Sequence, residues 1–232
     1  MKHNKKFIYP KSQREIINGK RHYDVGKEKL PSVTTILSAT QSAEKTASLD
    51  AWRQRVGVKE AEHITNEAAN RGTAMHKILE DYIQEQGHLD LTTIGLQAHN
   101  MAIQVIQNGL SSVTEYYGLE ATLYYPGLYA GATDVVAVHK GEDTIIDFKQ
   151  TNKPKKREWI EDYCLQIAGY TMAHNFIYKT SIKKGVIMMC SKDNYYQEFI
   201  IEGKELQTYQ HNFLRKVDQY YGQHKKVGVE RE

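Results

Sequence analysis

Asp147-Phe148-Lys149 closes a run of β-branched and apolar residues, Thr144–Lys149, that reads as a strand. Side chains two apart on a strand share a face, so Asp147 and Lys149 point together while Phe148 turns to the core. Upstream, Ala132–His139 is also strand-like, and Lys140-Gly141-Glu142-Asp143 between the two runs reads as a turn. Folding this hairpin about Gly141-Glu142 sets residue 140 against 143 and Asp134 against Lys149. Asp147 is then the diagonal neighbour of Asp134, at about 7–8 Å between backbones. Two carboxylates and one ammonium converge, and paired carboxylates repel unless a counter-charge joins them. A hard divalent cation with a taste for oxygen, Mg²⁺ or Mn²⁺, supplies it. Such a centre suits phosphodiester hydrolysis. The metal polarises the phosphate and acidifies a bound water, and Lys149 orients that water or stabilises the charge growing at phosphorus. Glu202-Gly203-Lys204 is an equally short Glu-x-Lys, but no acid precedes it on a partner strand. The hairpin register, not the tripeptide, singles out Asp147 and Lys149.

The elements that must position these groups follow from periodicity. Residues 6–9 and 15–25 read as short strands, the second carrying the Asn18-Gly19 hairpin signal. Leu30–Leu37 enters a short helix capped by Ser32. Residues 44–87 read as helical, broken near Val56-Gly57-Val58 and again around Asn70 to Gly72. Met75, Leu79, Tyr82 and Ile83 then recur at helical spacing, and a further helix over 95–108 offers Met101, Ile103, Val105 and Ile106 to the core. Glu120–Tyr125, Ala132–His139 and Thr144–Lys149 follow as an antiparallel three-strand meander. A helix at about 157–178 offers Ile160, Cys164, Ile167 and Met172 to its buried side. Lys184–Met189 and Tyr195–Ile201 are two more strands. Leu206–Tyr221 is a closing helix with Phe213, Leu214 and Val217 inward. The expectation is one α/β (α+β) domain over residues 1–232. Its parts are an N-terminal hairpin extension at 1–29, a helical region at 30–115, the sheet and its helix at 116–202, and a helix and tail at 203–232.

Composition narrows the classes. The 232 residues are 40% hydrophobic and 25% charged, as in an ordinary globular protein. No run approaches the roughly eighteen apolar residues of a membrane span. Two isolated cysteines, Cys164 and Cys190, build neither a disulfide scaffold nor a zinc ribbon nor a four-cysteine iron–sulfur cluster. They indicate a reducing compartment. The N-terminus carries neither a signal-peptide apolar run nor the pattern of an organellar presequence. The expected setting is the cytoplasm of a bacterial or phage-infected cell, with no membrane partner. The formal charge is only +3, but the basic residues come in blocks: Met1–Lys6, Lys153–Arg157 and Lys225-Lys226. Lys153, Lys155, Lys156 and Arg157 leave the acidic strand directly, so they start near the scissile bond and suit contacts to a nucleic-acid backbone. Trp159 beside them, and a complement of 16 tyrosines, offer rings on which unpaired bases stack.

Gly131-Ala132-Thr133-Asp134, then Asp147-Phe148-Lys149, then Gln166-Ile167-Ala168-Gly169-Tyr170 resembles the PD-(D/E)xK nuclease superfamily, in its RecB-like and Cas4-like exonuclease branch. Arg71-Gly72-Thr73-Ala74-Met75-His76 is similar to the helix that supplies that branch's active-site histidine. Leu30–Leu37 resembles the N-terminal segment of mitochondrial genome maintenance exonucleases and their phage relatives. The resemblance spans about residues 30–175 and implies a restriction-endonuclease-like core, a mixed central sheet flanked by helices. It implies Asp134 and Asp147 as metal ligands, the Phe148 carbonyl as a third, and Lys149 as the catalytic lysine. His76 would add a ligand or touch the bound strand, and Arg71 on the same helix would contact nucleic acid. Glu120 matches a position where the branch places an acid, and Gln166 and Tyr170, four apart on one helix face, border the site. Thr133 stands where the superfamily name has proline, and the second acid is Asp. Without cluster cysteines the chain sides with the cluster-free exonucleases.

The expected activity is a metal-dependent DNA exonuclease preferring single strands or flaps with a free end. That preference comes from the resemblance alone. Residues 44–70 would arch over the site and admit a threaded strand. A duplex-end exonuclease or a structure-selective endonuclease of the same fold is the alternative enzyme. A catalytically silent nucleic-acid-binding module is the alternative from another class.

Overall fold

The computed structural model describes residues 1–229, and the side chains of residues 1–223. Residues 230–232 and the side chains of the Lys225-Lys226 block lie outside the described part. The chain runs β1 (Lys2–His3), β2 (Gln13–Ile17), β3 (Lys20–Val25), β4 (Glu28–Pro31), α1 (Val33–Ala39), α2 (Ala43–Val56), α3 (Val58–Ile83) and α4 (Thr93–Asn108). It continues through β5 (Val113–Tyr125), β6 (Tyr129–His139), β7 (Glu142–Thr151), α5 (Glu161–Tyr178), β8 (Lys184–Ser191), β9 (Tyr196–Glu202) and α6 (Gly203–Val229). A 3₁₀ turn, Arg157–Trp159, precedes α5. Residues 6–9, expected as a strand, lie outside any strand.

The main sheet has the order β1-β5-β6-β7-β8-β9, and β2-β3-β4 form a separate three-stranded sheet. β5, β6 and β7 are the expected antiparallel meander, while β8 lies parallel to β7, joined through the crossover helix α5. Alternation sorts the strand residues between two apolar layers. Val136, Ile145, Ile187 and Met189 face α5 and α6, with Cys164, Ile167, Phe213 and Val217. Val135, Ile146, Phe148 and Met188 face α3 and α4, with Met75, Leu79, Met101 and Val105. Tyr82 and Leu214, expected inside, are 48% and 37% exposed, because each sits at the edge of its helix's apolar stripe.

The β6–β7 turn differs from expectation. Lys140 and Gly141 both have positive φ, 51° and 82°, so they alone form a two-residue turn and His139 pairs with Glu142. The register therefore slips by two, which leaves every side chain on its expected face. The second expected helix break is absent too. α3 runs unbroken through Asn70 to Gly72, because Arg71 fastens it. Arg71 is buried, 1% exposed. Its guanidinium donates to Glu67 at 2.7 Å, Gln150 at 2.6 Å, Gln97 at 3.3 Å and Asn152 at 2.5 Å. One side chain thus ties α3 to α4 and to the end of β7. This also corrects the expectation of a nucleic-acid contact, since its donors are spent inside the protein.

Among the described residues, no helix is long and apolar enough to cross a membrane. Replacing Arg71 with Ala leaves Glu67 and three amides without their buried partner. The expected loss is about 3 kcal/mol of unfolding free energy, read as a lower urea midpoint. An unchanged midpoint would mean that α3 is held by its apolar face alone.

Candidate active site

β6 and β7 are paired only as far as Val135 and Ile146. Beyond that point β6 stays with β5 and β7 stays with β8, so the sheet forks. Asp134 and Asp147 are the first residues past the fork. They stand opposite each other by register, where the expected pairing was Asp134 with Lys149. Asp134 turns an oxygen into the gap: its Oδ2 accepts the Phe148 N–H at 2.5 Å, replacing a lost ladder bond. The Thr133 hydroxyl makes a second substitute bond to the Ile146 carbonyl at 3.2 Å. The N–H and C=O of one strand residue point to the same edge, so the Phe148 carbonyl also faces the fork.

Three other elements reach the gap. From α3, His76 places Nδ1 3.2 Å from Asp134 Oδ1. Glu120 on β5 stands opposite Asp134 of β6, between the Leu119–Val135 and Ala121–Thr133 pairs. Its backbone is in the left-handed region, φ 44°, a strained state for this residue type. One ligand atom each from His76, Glu120 and Asp134 lies within 4.8 Å of the others. From α5, Gln166 and Tyr170 share a face, with Gln166 Nε2 donating to the Tyr170 hydroxyl at 2.9 Å. Tyr170 packs against β6 at Gly131. A Cβ there would stand 2.7 Å from the ring, so the glycine of the Gly131–Asp134 motif makes room for the tyrosine.

Lys149 pairs with Asp147 and lies 5.1 Å from the Tyr163 ring centroid. Asp147 Oδ2 is buried and, beyond this ion pair, has no hydrogen bond. Burial pushes the Asp147 carboxyl up to about 6; Lys149 offsets part of this and the Asp134 charge adds to it. Burial works against an ionised Asp134 too, but His76, Lys149 and the Phe148 N–H outweigh it and hold this carboxyl low. Burial likewise opposes the His76 imidazolium, yet the Asp134 carboxylate overrides it and raises His76 to about 9. Lys149 is shifted up, burial being outweighed by Asp147 and Asp134. Glu120 is raised by burial and by Asp134, against the pull of Arg14.

The buried Asp147 oxygen, held by Lys149, and a donor set of three carboxylates and one imidazole fit a hard divalent cation. They line one pocket of about 170 Å³ with Lys149, Gln166 and Tyr170. Its remaining wall was not foreseen. Arg14, Arg21 and Tyr23 come from the N-terminal sheet, which was expected as a mere extension. The signal was present: an Asn18-Gly19 turn pairs Ile17 with Lys20, so Arg14, Ile16, Arg21 and Tyr23 share one face. Ser32 docks that sheet. It caps α1 by accepting the Thr35 N–H at 2.9 Å, donates its own N–H to the Arg21 carbonyl at 3.0 Å, and bridges to Ala130 of β6.

The basic segment after β7 is divided. Lys153, Lys156 and Trp159 are exposed, with Lys156 5.3 Å from the Trp159 ring centroid. Lys155 is half-buried, its N–H donating to Gln197 at 2.7 Å. Arg157, expected to meet a nucleic acid, is engaged by Glu205 and the Ile200 carbonyl and stays partly exposed.

In chelator-treated protein the His76 imidazole should titrate near 9, followed by NMR, and return toward its ordinary value near 6.5 in Asp134→Asn. The sign follows from the raised value. The stabilisation is complete below about pH 6.5 and is lost as pH rises through about 9. A value near 6.5 in the parent would mean that the pair does not form in solution.

No protein-family model matches the chain. It is similar to mitochondrial genome maintenance exonuclease 1 of mouse, 29% identical over 177 residues, covering 72% of this chain and 51% of the mouse protein. The human protein of that name is 29% identical over 174 residues, covering 71% of this chain and 50% of its own length. The chain thus spans about half the length of the curated relatives it matches. Among solved structures, an alkaline exonuclease from Laribacter hongkongensis aligns with a TM-score of 0.32 at 12% identity, over 68% of this chain and 84% of that one. The chain is therefore similar to these mitochondrial genome maintenance exonucleases over most of its length, and its mixed sheet forks where the two acids and the lysine stand.

Proposed function

We propose that the chain is a metal-dependent deoxyribonuclease acting as an exonuclease on single-stranded DNA or on flaps with a free end. The observation that carries this is the fork itself. It gathers Asp134, Asp147, Glu120, His76 and Lys149 on one pocket, with a buried Asp147 oxygen whose partner is the Lys149 ammonium. His76, Glu120 and Asp134 would hold Mg²⁺ or Mn²⁺, with Asp147 and the Phe148 carbonyl beside them. When bound, the cation supplies Lewis acidity to the phosphodiester and a more acidic water.

The other roles belong to the chain. Lys149 keeps its proton, and its ammonium stabilises the negative charge that grows on the phosphoryl oxygens. Asp147 fixes that ammonium in place. Tyr170 stays neutral, its hydroxyl raised far up by burial, and Gln166 orients it as a wall of the pocket.

Three features support a single strand. The pocket, about 170 Å³, suits a phosphate and its sugar rather than a duplex. α2 is polar all round and buries no residue, the pattern of a helix that bridges solvent. It is fastened by Lys45 to Asp162 at the start of α5 and turns at Gly57 into α3, whose residues Ala69 to Lys77 line the groove beside the pocket. The exposed Trp159 and Lys156 stand ready for a base and a backbone phosphate.

The assay uses end-labelled linear oligonucleotides and a single-stranded circle, with Mg²⁺ or Mn²⁺. The parent should degrade the linear strands and spare the circle. Asp147→Ala and Lys149→Ala should each lose about a hundredfold or more, with no cleavage in chelator. A cut circle would make the enzyme an endonuclease. Equal activity in both variants would remove the site, and binding without cleavage under any divalent metal would indicate the silent module.

A further inference from the structure

Arg14 and Arg21 share the inner face of the N-terminal sheet, the face whose Tyr23 and Val25 pack toward β6. Their surroundings differ. Arg14 is spent: it pairs with Glu120 at 2.7 Å and lies 5.8 Å from the Tyr23 ring centroid. Arg21 has its backbone engaged, its carbonyl accepting from Ser32 and Thr35, which fixes where the side chain starts. Among the described residues, its guanidinium makes no ion pair or side-chain hydrogen bond, and the residue is exposed. An unpaired guanidinium on a fixed backbone is poised for an anion, and its planar fork matches a phosphate bidentately.

Arg21 also stands where three cavities meet. It lines the active-site pocket, a groove of about 530 Å³ toward Ala69, Gly72 and Thr73 of α3, and a third hollow of about 520 Å³ over Thr34 and Ser38 of α1. A strand with one phosphate in the active-site pocket must lay its neighbours along such hollows, because the pocket itself holds too little. On the α3 side the lining begins with the small residues Ala69, Gly72 and Thr73, which let a sugar–phosphate backbone approach closely, and continues through His76, Lys77 and Glu80. Glu80 and Glu120 are the acids of that groove. Arg14 neutralises Glu120 there, so a phosphate at Arg21 meets less repulsion.

We infer that Arg21 binds a backbone phosphate next to the scissile one, so that the N-terminal sheet is part of the nucleic-acid interface. The inference rests on the nuclease reading and adds a substrate-binding residue to it. Arg21 would position the strand rather than touch the reacting atoms.

The test measures affinity for a short fluorescent oligothymidylate by anisotropy with Mg²⁺, over a range of KCl, in the Lys149→Ala background so that the probe stays intact. Arg21→Gln should raise Kd about tenfold at low salt. It should also make the slope of log Kd against log salt shallower by about 0.7, one phosphate contact on a single strand. Arg21→Lys should restore the slope but only part of the affinity. Circular dichroism confirms that each variant is folded. Unchanged affinity and slope in Arg21→Gln, in a protein whose parent cleaves the linear strand, would overturn the inference and leave the nuclease reading intact. A parent that neither binds nor cuts would overturn both.

Discussion

β6 and β7 are bonded through Val135 and Ile146 and then part, although each continues beside its other neighbour. A parted sheet exposes backbone donors and acceptors in an interior where water is scarce, and each unpaired group is costly. The two substitutes found at the gap come from side chains, Asp134 on the Phe148 N–H and Thr133 on the Ile146 carbonyl. Asp134 is therefore structural before it is anything else. It splices the two halves of the sheet with one oxygen and leaves the other for His76. Because the fork opens both faces, α3 from one layer and α5 from the other present side chains to one point.

The electrostatics of that point follow from burial. Asp134 and Asp147 are both secluded, and the two cations of the fork are unequally shared between them. Asp134 takes His76 and the Phe148 N–H and keeps its charge; Asp147 has Lys149 alone and is driven toward its neutral form. Three carboxylates gathered on one pocket repel one another unless positive charge joins them, and His76, Lys149 and Arg14 supply it from the chain itself. The N-terminal sheet closes the remaining side, and its docking runs through a helix cap: Ser32 ends β4's excursion, starts α1 and touches β6.

Much of this was legible in the order of residue types. The strand pair around Asp134 and Asp147 was readable because alternation is a two-residue rule, and a register slip of two preserves it. The turn itself was misjudged, since Lys140 in a left-handed conformation is not the residue that usually announces a two-residue turn. The fork was not legible at all. Nothing in the runs Tyr129–Asp134 or Asp147–Thr151 marks where one ladder stops, because both stretches remain good strands against their other partners. Arg71 shows a second blind spot. A basic residue next to a motif reads as a surface contact, and only the meeting of α3, α4 and β7 reveals four acceptors around it. Arg14 and Arg21 were within reach of the Asn18-Gly19 register, but a hairpin outside the motif-bearing span gives no hint of what it leans against.

Glu120 holds an unfavourable backbone state in the middle of a long strand. Glycine or asparagine would occupy that conformation more cheaply, so a sequence optimised for folding alone would discard the glutamate. The chain thus carries a local penalty whose return is a carboxylate delivered to the pocket. Consensus or stability-guided redesign of this protein would be drawn to that position first, and the thermostability gained there would remove a carboxylate from the pocket.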